Sequence, residues 1–279
     1  MRRFLPAAVA LCATVGAAPA LRAQQPVTIT FSEYACSDPS QPCEYQATTG
    51  RPVSSQGFDF LDRSDIFGGG GTNSLGTWSN NPSNLGYRNR PSNLGGSTTL
   101  FAPNNGDIVE MYATSGQNFS LYSMDVAGLF RQSSISPPLG APNTFNLFFQ
   151  YFLSYDSFAN GTPDGDFYAT VRPAPLVNGD RVPVLSTIDF TGANSAAIPL
   201  QFIDGTQSDL RNIFGIQWVQ GSLTGFDASG NPTFTAASGR AHQFTNVVAA
   251  VVPEPGTFAL AAGGLLVVVG AGLRRRPTA

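Results

Sequence analysis

The chain has 279 residues, 42% hydrophobic and only 12% charged, against roughly 25% charged in a typical soluble domain. All 15 basic residues are Arg; residues 24–254 hold 9 of them against 18 Asp and Glu, a balance of −9. An acidic body repels phosphate backbones, which argues against nucleic acid as a partner. With 30 Gly, 21 Pro and 21 Phe, the composition favours short apolar strands punctuated by turns over long helices.

Met1–Ala23 has the order of a secretory signal peptide. Arg2 and Arg3 form a basic start, Phe4–Ala18 an apolar stretch, and Ala18-Pro19-Ala20 a small-residue cleavage site, with Ala23 as an alternative. Cys12 lies in this leader, so export leaves Cys36 and Cys43, bracketing Pro39 and Pro42. In an oxidising compartment the expectation is a disulfide closing a small loop, against two unpaired thiols in a loop.

Residues 24–250 have the length of one all-β domain. The clearest strand spans Thr144–Tyr155: Phe145, Leu147, Phe149, Tyr151, Leu153 and Tyr155 share one face, a period of two. Further strands are predicted at Val27–Phe31, Gly57–Leu61, Ile108–Ala113, Phe119–Val126, Phe167–Val171, Ser186–Phe190, Ala197–Ile203, Ile213–Val219 and Ala241–Val248. Turn clusters such as Pro163-Asp164-Gly165-Asp166, Asn178-Gly179-Asp180 and Asp227–Asn231 separate them. No sustained 3.6-residue period occurs outside the termini, so the fold expected is a β-sandwich, jelly-roll-like.

Residues 68–96 read as one long Gly/Asn/Ser-rich loop. It holds a repeat, Pro82–Gly86 and Pro91–Gly95, nine residues apart, together with Trp78, Tyr87, Arg88 and Arg90. A loop this long is functional or disordered. Its functional reading is a glycan contact, with Trp78 or Tyr87 stacking on a sugar and Arg88 and Arg90 donating to hydroxyls. Its structural reading, which is preferred, tucks the aromatics into the sandwich.

At the C-terminus, Pro253-Glu254-Pro255 precedes Phe258–Leu273, sixteen uncharged residues, followed by Arg274, Arg275 and Arg276. The run is slightly short of the roughly 20 residues that span a bilayer core, but flanking Arg can snorkel. Phe258–Leu273 is thus read as one transmembrane helix within a C-terminal segment of residues 251–279, with the Arg cluster inside and the body outside. The order Pro-Glu-Pro, apolar helix, Arg cluster resembles the PEP-CTERM sorting signal. The resemblance implies a membrane-embedded processing enzyme, an exosortase, that recognises Pro253, Glu254 and Pro255 and cuts near them. The same tail also goes by the label ice-binding protein C-terminal domain, which describes the tail and implies nothing about ice in the body.

The body is similar to domains attached to such tails. The likeness rests on Thr28–Phe31, Gly57–Phe60, Leu121–Asp125 and Gln243–Val248. It supports the fold more than an activity.

The chemistry is sparse. The one histidine, His242, falls by alternation on the same face as Phe244 and Val248, and reads as structural. The chain contains no Gly-x-Ser-x-Gly elbow, His-Glu-x-x-His pair or phosphate loop. Asp59, Asp62, Asp125 and Asp189 are candidate glycosidase carboxylates that sequence cannot pair. Asn160, Asp164 and Asp166 alternate in a Gly-containing loop and are weak candidates for a structural calcium, against an ordinary Asp-Gly turn. No other cofactor is expected.

The expectation is therefore a non-enzymatic, polysaccharide-associated protein. It is exported through an inner-membrane intermediate to the cell surface or extracellular matrix. The alternatives are a carboxylate-based polysaccharide hydrolase or lyase, and a purely structural or adhesive protein.

Overall fold

The computed structural model describes residues 25–35, 43–46, 52–62, 74–77, 91, 94, 98–102, 108–130, 145–171, 176–177, 180–181, 184–191, 198, 200–202, 210–226, 232–236 and 240–252. In chain order the strands are β1 (Val27–Ile29), β2 (Cys43–Gln46), β3 (Val53–Ser55), β4 (Phe58–Asp62), β5 (Ser74–Thr77) and β6 (Leu100–Ala102). They continue with β7 (Ile108–Ala113), β8 (Phe119–Phe130), β9 (Phe145–Phe152), β10 (Gly165–Val171), β11 (Leu176–Val177) and β12 (Asp180–Arg181). The last are β13 (Ser186–Asp189), β14 (Leu200–Phe202), β15 (Gly215–Phe226), β16 (Pro232–Ala236) and β17 (Arg240–Val251). One short helix, α1 (Tyr155–Ala159), and a 3-10 turn at Ser32–Tyr34 complete the described elements.

The strands form two large antiparallel sheets and a small β11–β12 ribbon. The first sheet runs β13-β8-β17-β6-β5-β2, and β1 also pairs with β17. The second runs β14-β10-β9-β15-β7-β4-β3, and β16 also pairs with β15. Each sheet is built around a 12-residue strand whose far edge two shorter strands share end to end. On β17, β6 takes His242–Phe244 and β1 takes Val247–Ala249. On β15, β7 takes Gly215–Val219 and β16 takes Gly221–Phe226. The expected all-β sandwich is what forms.

The two inner faces meet in one aromatic core. Phe31, just past β1, and Phe244 of the first sheet lie 5.0 and 5.9 Å, centroid to centroid, from Phe60 of the second. Phe119 lies 5.3 Å from Phe58, and Trp218 meets Phe244 edge-on at 5.0 Å. Phe190, just past β13, contacts Phe149 and Phe167 at 5.6 and 6.0 Å. Edge-to-face rings add attraction beyond the area they bury.

Register departs from simple alternation in the middle of the first sheet. Asn246 has φ 48° and bulges β17, and the pairing jumps from Thr245↔Asp125 to Val248↔Ser123. β8 answers with its own extra residue between Ser123 and Leu121. The Asn246 Nδ2 donates to Asp125 Oδ2 at 2.7 Å and fixes the kink. A bulge inserts one residue and so swaps the faces beyond it. His242 and Phe244 therefore share the core face with Val247 and Ala249, whereas Val248 lies on the other face, correcting the alternation predicted for it.

The strand predicted at Thr144–Tyr155 is shorter than expected. β9 ends at Phe152, and Leu153 and Tyr155 are exposed instead of facing the core. Ser154 stops the strand by capping α1: its Oγ accepts from Ser157 N–H, and the Ser157 side chain returns a bond to the Ser154 N–H. This single turn of helix was not expected, because five residues are too few to show a period. It folds back so that the Phe158 ring lies against Gly215, where an added Cβ would sit 2.6 Å from the ring. Phe158 also meets Phe152 and Phe214 at 5.2 and 5.4 Å.

The segment read as one loop over 68–96 contains β5, paired with β2 and β6. In the second copy of its repeat, Pro91 is buried and Leu94 packs with Ala127 and Leu185. Cys43 lies in β2, opposite Thr77, not in a loop. Cys36, Trp78, Tyr87, Arg88 and Arg90 lie outside the described residues, as do 1–24 and 253–279.

The two-residue hairpin β3–β4 turns through Gln56 (φ 52°) and Gly57 (φ 85°). Two successive positive φ values suit Asn-Gly best, and Gln accepts the left-handed region poorly. Gln56→Asn is expected to raise stability by about 0.5 kcal/mol, read as a higher denaturant midpoint with unchanged slope.

Candidate functional site

His242 is sealed in the sandwich. It accepts a hydrogen bond from Trp218 Nε1 at its own Nε2, 3.0 Å away, and stacks on Phe244. Burial pushes its imidazole down from 6.5 to about 3, so the ring is neutral and has no access to a substrate. Accepting at Nε2 places its ring proton on Nδ1.

The four carboxylates singled out from sequence divide between the sheets. Asp59 and Asp62 are on β4. Asp59 accepts from Ser54 Oγ and from Thr114 Oγ1, the latter at 3.0 Å, and so ties the hairpin to the β7–β8 turn. Asp125 and Asp189 fall on the outer face of the first sheet, one diagonal step apart, since Asp125 pairs with Thr187 in register. Asp125 is held by Thr187 Oγ1 at 2.6 Å and by Asn246, and Asp189 accepts from the N–H and Oγ1 of Thr191 at 2.8 and 2.7 Å. The Thr187 bond links paired positions of β13 and β8, and the others brace a turn or the bulge.

The calcium candidates fall at the end of α1, in the turn that follows and in β10. Asn160 ends α1, its N–H donating to Asp156 O. Asp164 accepts from Leu153 N–H at 2.8 Å. Asp166 lies in β10, opposite Gln150. Among the described residues no three His, Cys, Asp or Glu gather closely enough to hold a metal ion.

The features that remain converge on one end of the sandwich, where the chain enters β1 and leaves β17. Val27 pairs with Ala249, and Phe119 with Val251. A cleft of about 440 Å³ opens there, and its ten lining residues include none that is charged. Gln25, Gln56, Ser115 and Gln117 supply amides and a hydroxyl, and Val27 and Phe58 supply an apolar floor. Such a lining can hydrogen-bond a neutral polar group, but it offers no acid, base or activated nucleophile.

Beside the cleft, Asn118 fixes the exit. Its carbonyl accepts from Val252 N–H at 2.7 Å, and its Nδ2 donates to Leu153 O and Asn212 O, both at 3.2 Å. Ser120 Oγ donates to Arg211 O and ties the same loop to β8. One residue thus holds the last described residue through its backbone carbonyl and two loops of the opposite sheet through its side chain. Sequence reading missed Asn118, because an Asn after a Gly turn is ordinary and its partners are 35 and 94 residues away.

Immediately past this clamp comes Pro253-Glu254-Pro255. Residues 251–276 match the family model described as the PEP-CTERM protein-sorting motif. The chain carries a sorting tail. The PEP-CTERM motif begins at Val251, inside β17, so the signal is joined to the sandwich without a spacer. It implies export, processing by an exosortase through a membrane-anchored intermediate, and delivery to the surface or the extracellular space. No curated protein matches the chain. Among the described residues no helix is long and apolar enough to cross a membrane. Phe258–Leu273 and Arg274–Arg276 lie outside them.

Proposed function

We propose that this chain is a non-enzymatic β-sandwich exported by its leader, inserted through its tail, and cut near Pro253–Pro255 for delivery to the cell surface or the extracellular matrix. The observation that carries the reading is the match at 251–276, which starts in the last strand and makes the whole sandwich the cargo. Phe258–Leu273 serves as the membrane segment, and Arg274, Arg275 and Arg276 keep its far end in the cytoplasm. The non-enzymatic reading is supported by His242 in the core and by Asp59, Asp125 and Asp189 engaged in bracing turns.

Changing Pro253, Glu254 and Pro255 together to Ala is expected to accumulate uncut chain in the membrane fraction of the host. Release unchanged from the parent would overturn the sorting reading. The finer reading, association with extracellular polysaccharide, draws on the sparsely charged composition and on the neutral amide-lined cleft. It predicts that the released protein co-sediments with host exopolysaccharide and that Gln56→Ala with Gln117→Ala weakens this. Equal recovery with and without the polymer would leave the purely structural or adhesive role in its place.

A further inference from the structure

Among the described residues the large hydrophobic side chains that stand exposed are Leu153 (40%) and Tyr155 (65%). Both flank the point where the chain leaves the sandwich. The Leu153 carbonyl is bonded to the same Asn118 that holds Val252. The Tyr155 ring stands edge-on against Phe214 at 5.5 Å, so α1 presents it outward on a packed aromatic base. A scattered exposed apolar residue is ordinary. What sets this pair apart is its position relative to the tail.

Five residues, 253–257, separate Val252 from the uncharged run that starts at Phe258. Even fully extended, the six steps from 252 to 258 reach only about 20 Å. With Phe258–Leu273 inserted, this end of the sandwich cannot leave the bilayer surface. Tyr is enriched at the membrane–water boundary, where its ring is buried and its hydroxyl stays wet. The exposed charges beside the pair are Asp156 and Asp164 against Arg211, so attraction to anionic lipid contributes little.

We infer that Leu153 and Tyr155 seat the sandwich on the interfacial region of the bilayer while the tail is inserted, and let go once the tail is cut. Two side chains bind lipid too weakly to hold a free protein. A short tether raises the local concentration of membrane so far that the same contact stays closed. Cutting at Pro253–Pro255 removes the tether, and the seat opens without any change in the fold. The inference rests on the tail reading above.

The test uses the exported form, 24–279, in phosphatidylcholine vesicles with and without brominated acyl chains. Tyr155→Trp adds an indole at an exposed site, and the readout is the emission it adds over the parent. Brominated lipid is expected to quench roughly half or more of that added emission, and Leu153→Ser in the same background to reduce the quenching. Added emission insensitive to bromine, in a chain that floats with the vesicles, would overturn the seat and leave the tail reading standing. A chain that does not float with vesicles at all sinks the tail reading and the seat with it.

Discussion

Phe244→Ala is expected to cost about 3–5 kcal/mol, the range for removing a fully buried aromatic from a core that cannot collapse around the gap. Phe244 is fully buried between the two sheets. Its ring lies 5.0 Å from Trp218, 5.7 Å from Phe31 and 5.9 Å from Phe60, so the cavity would be walled by buried rings. Because native stabilities run only about 5–15 kcal/mol, this one change should remove a large share of the total. Thermal unfolding should show a midpoint lower by roughly 10 °C. Tyr155→Ala, at an exposed site, should fall within about 0.5 kcal/mol of the parent. Near-parental stability of Phe244→Ala would mean that the sheets do not meet through this ring.

The second large effect is acid lability centred on His242. The folded imidazole titrates near 3 because burial penalises its charge, whereas in the unfolded chain it titrates near 6.5. Between those values the unfolded state binds one more proton than the folded state, so stability falls as pH falls. The loss begins just below pH 6.5, reaches about 2 kcal/mol at pH 5, and is complete only below pH 3. Between pH 6.5 and 5 the difference between the parent and a variant without the imidazole reads the histidine. Denaturant midpoints across that range should decline in the parent and stay flat in His242→Gln. Glutamine offers Trp218 an acceptor in place of Nε2 and carries no titrating proton. The variant should be less stable than the parent at pH 7, since a buried amide has more groups to satisfy than the ring it replaces. A parent midpoint independent of pH in this range would mean that the imidazole is reached by solvent.

Much of the sandwich was legible because its strands are half-buried and alternate. Ile108–Ala113 is read to the residue. The reading failed where a local device interrupts the period. Ser154 ends β9 three residues before the alternation does, because its capping bonds favour a helical turn. Asn246 swaps the face of Val248 because its φ is positive and Asp125 holds it there. Short strands such as β2, β3 and β5 carry too few residues to show a period, and they form because longer neighbours offer them an edge.

The body segments that suggested kinship also gain a physical meaning. Phe31 ends its segment in the left-handed region at φ 54°, before the 3-10 turn. Gly57–Phe60 opens on the positive-φ hairpin turn and carries the Asp59 brace. Leu121–Asp125 and Gln243–Val248 are the two sides of the paired bulge. These are joints of the sandwich, where Gly57, Asp59, Asp125 and Asn246 serve the backbone geometry of a turn and a bulge.

The ends of the chain divide in the same way. The sequence by itself determined the sorting tail, since three chemically distinct blocks in fixed order along one short stretch need no folding to be recognised. It also determined the fold class, because alternation and turn residues are local properties. Tertiary structure alone decided that the tail leaves the sandwich with no spacer, clamped by Asn118 between a neutral cleft and an exposed Leu153–Tyr155 pair. Those neighbours lie far apart along the chain, and only the register of long antiparallel strands brings their turns to one end.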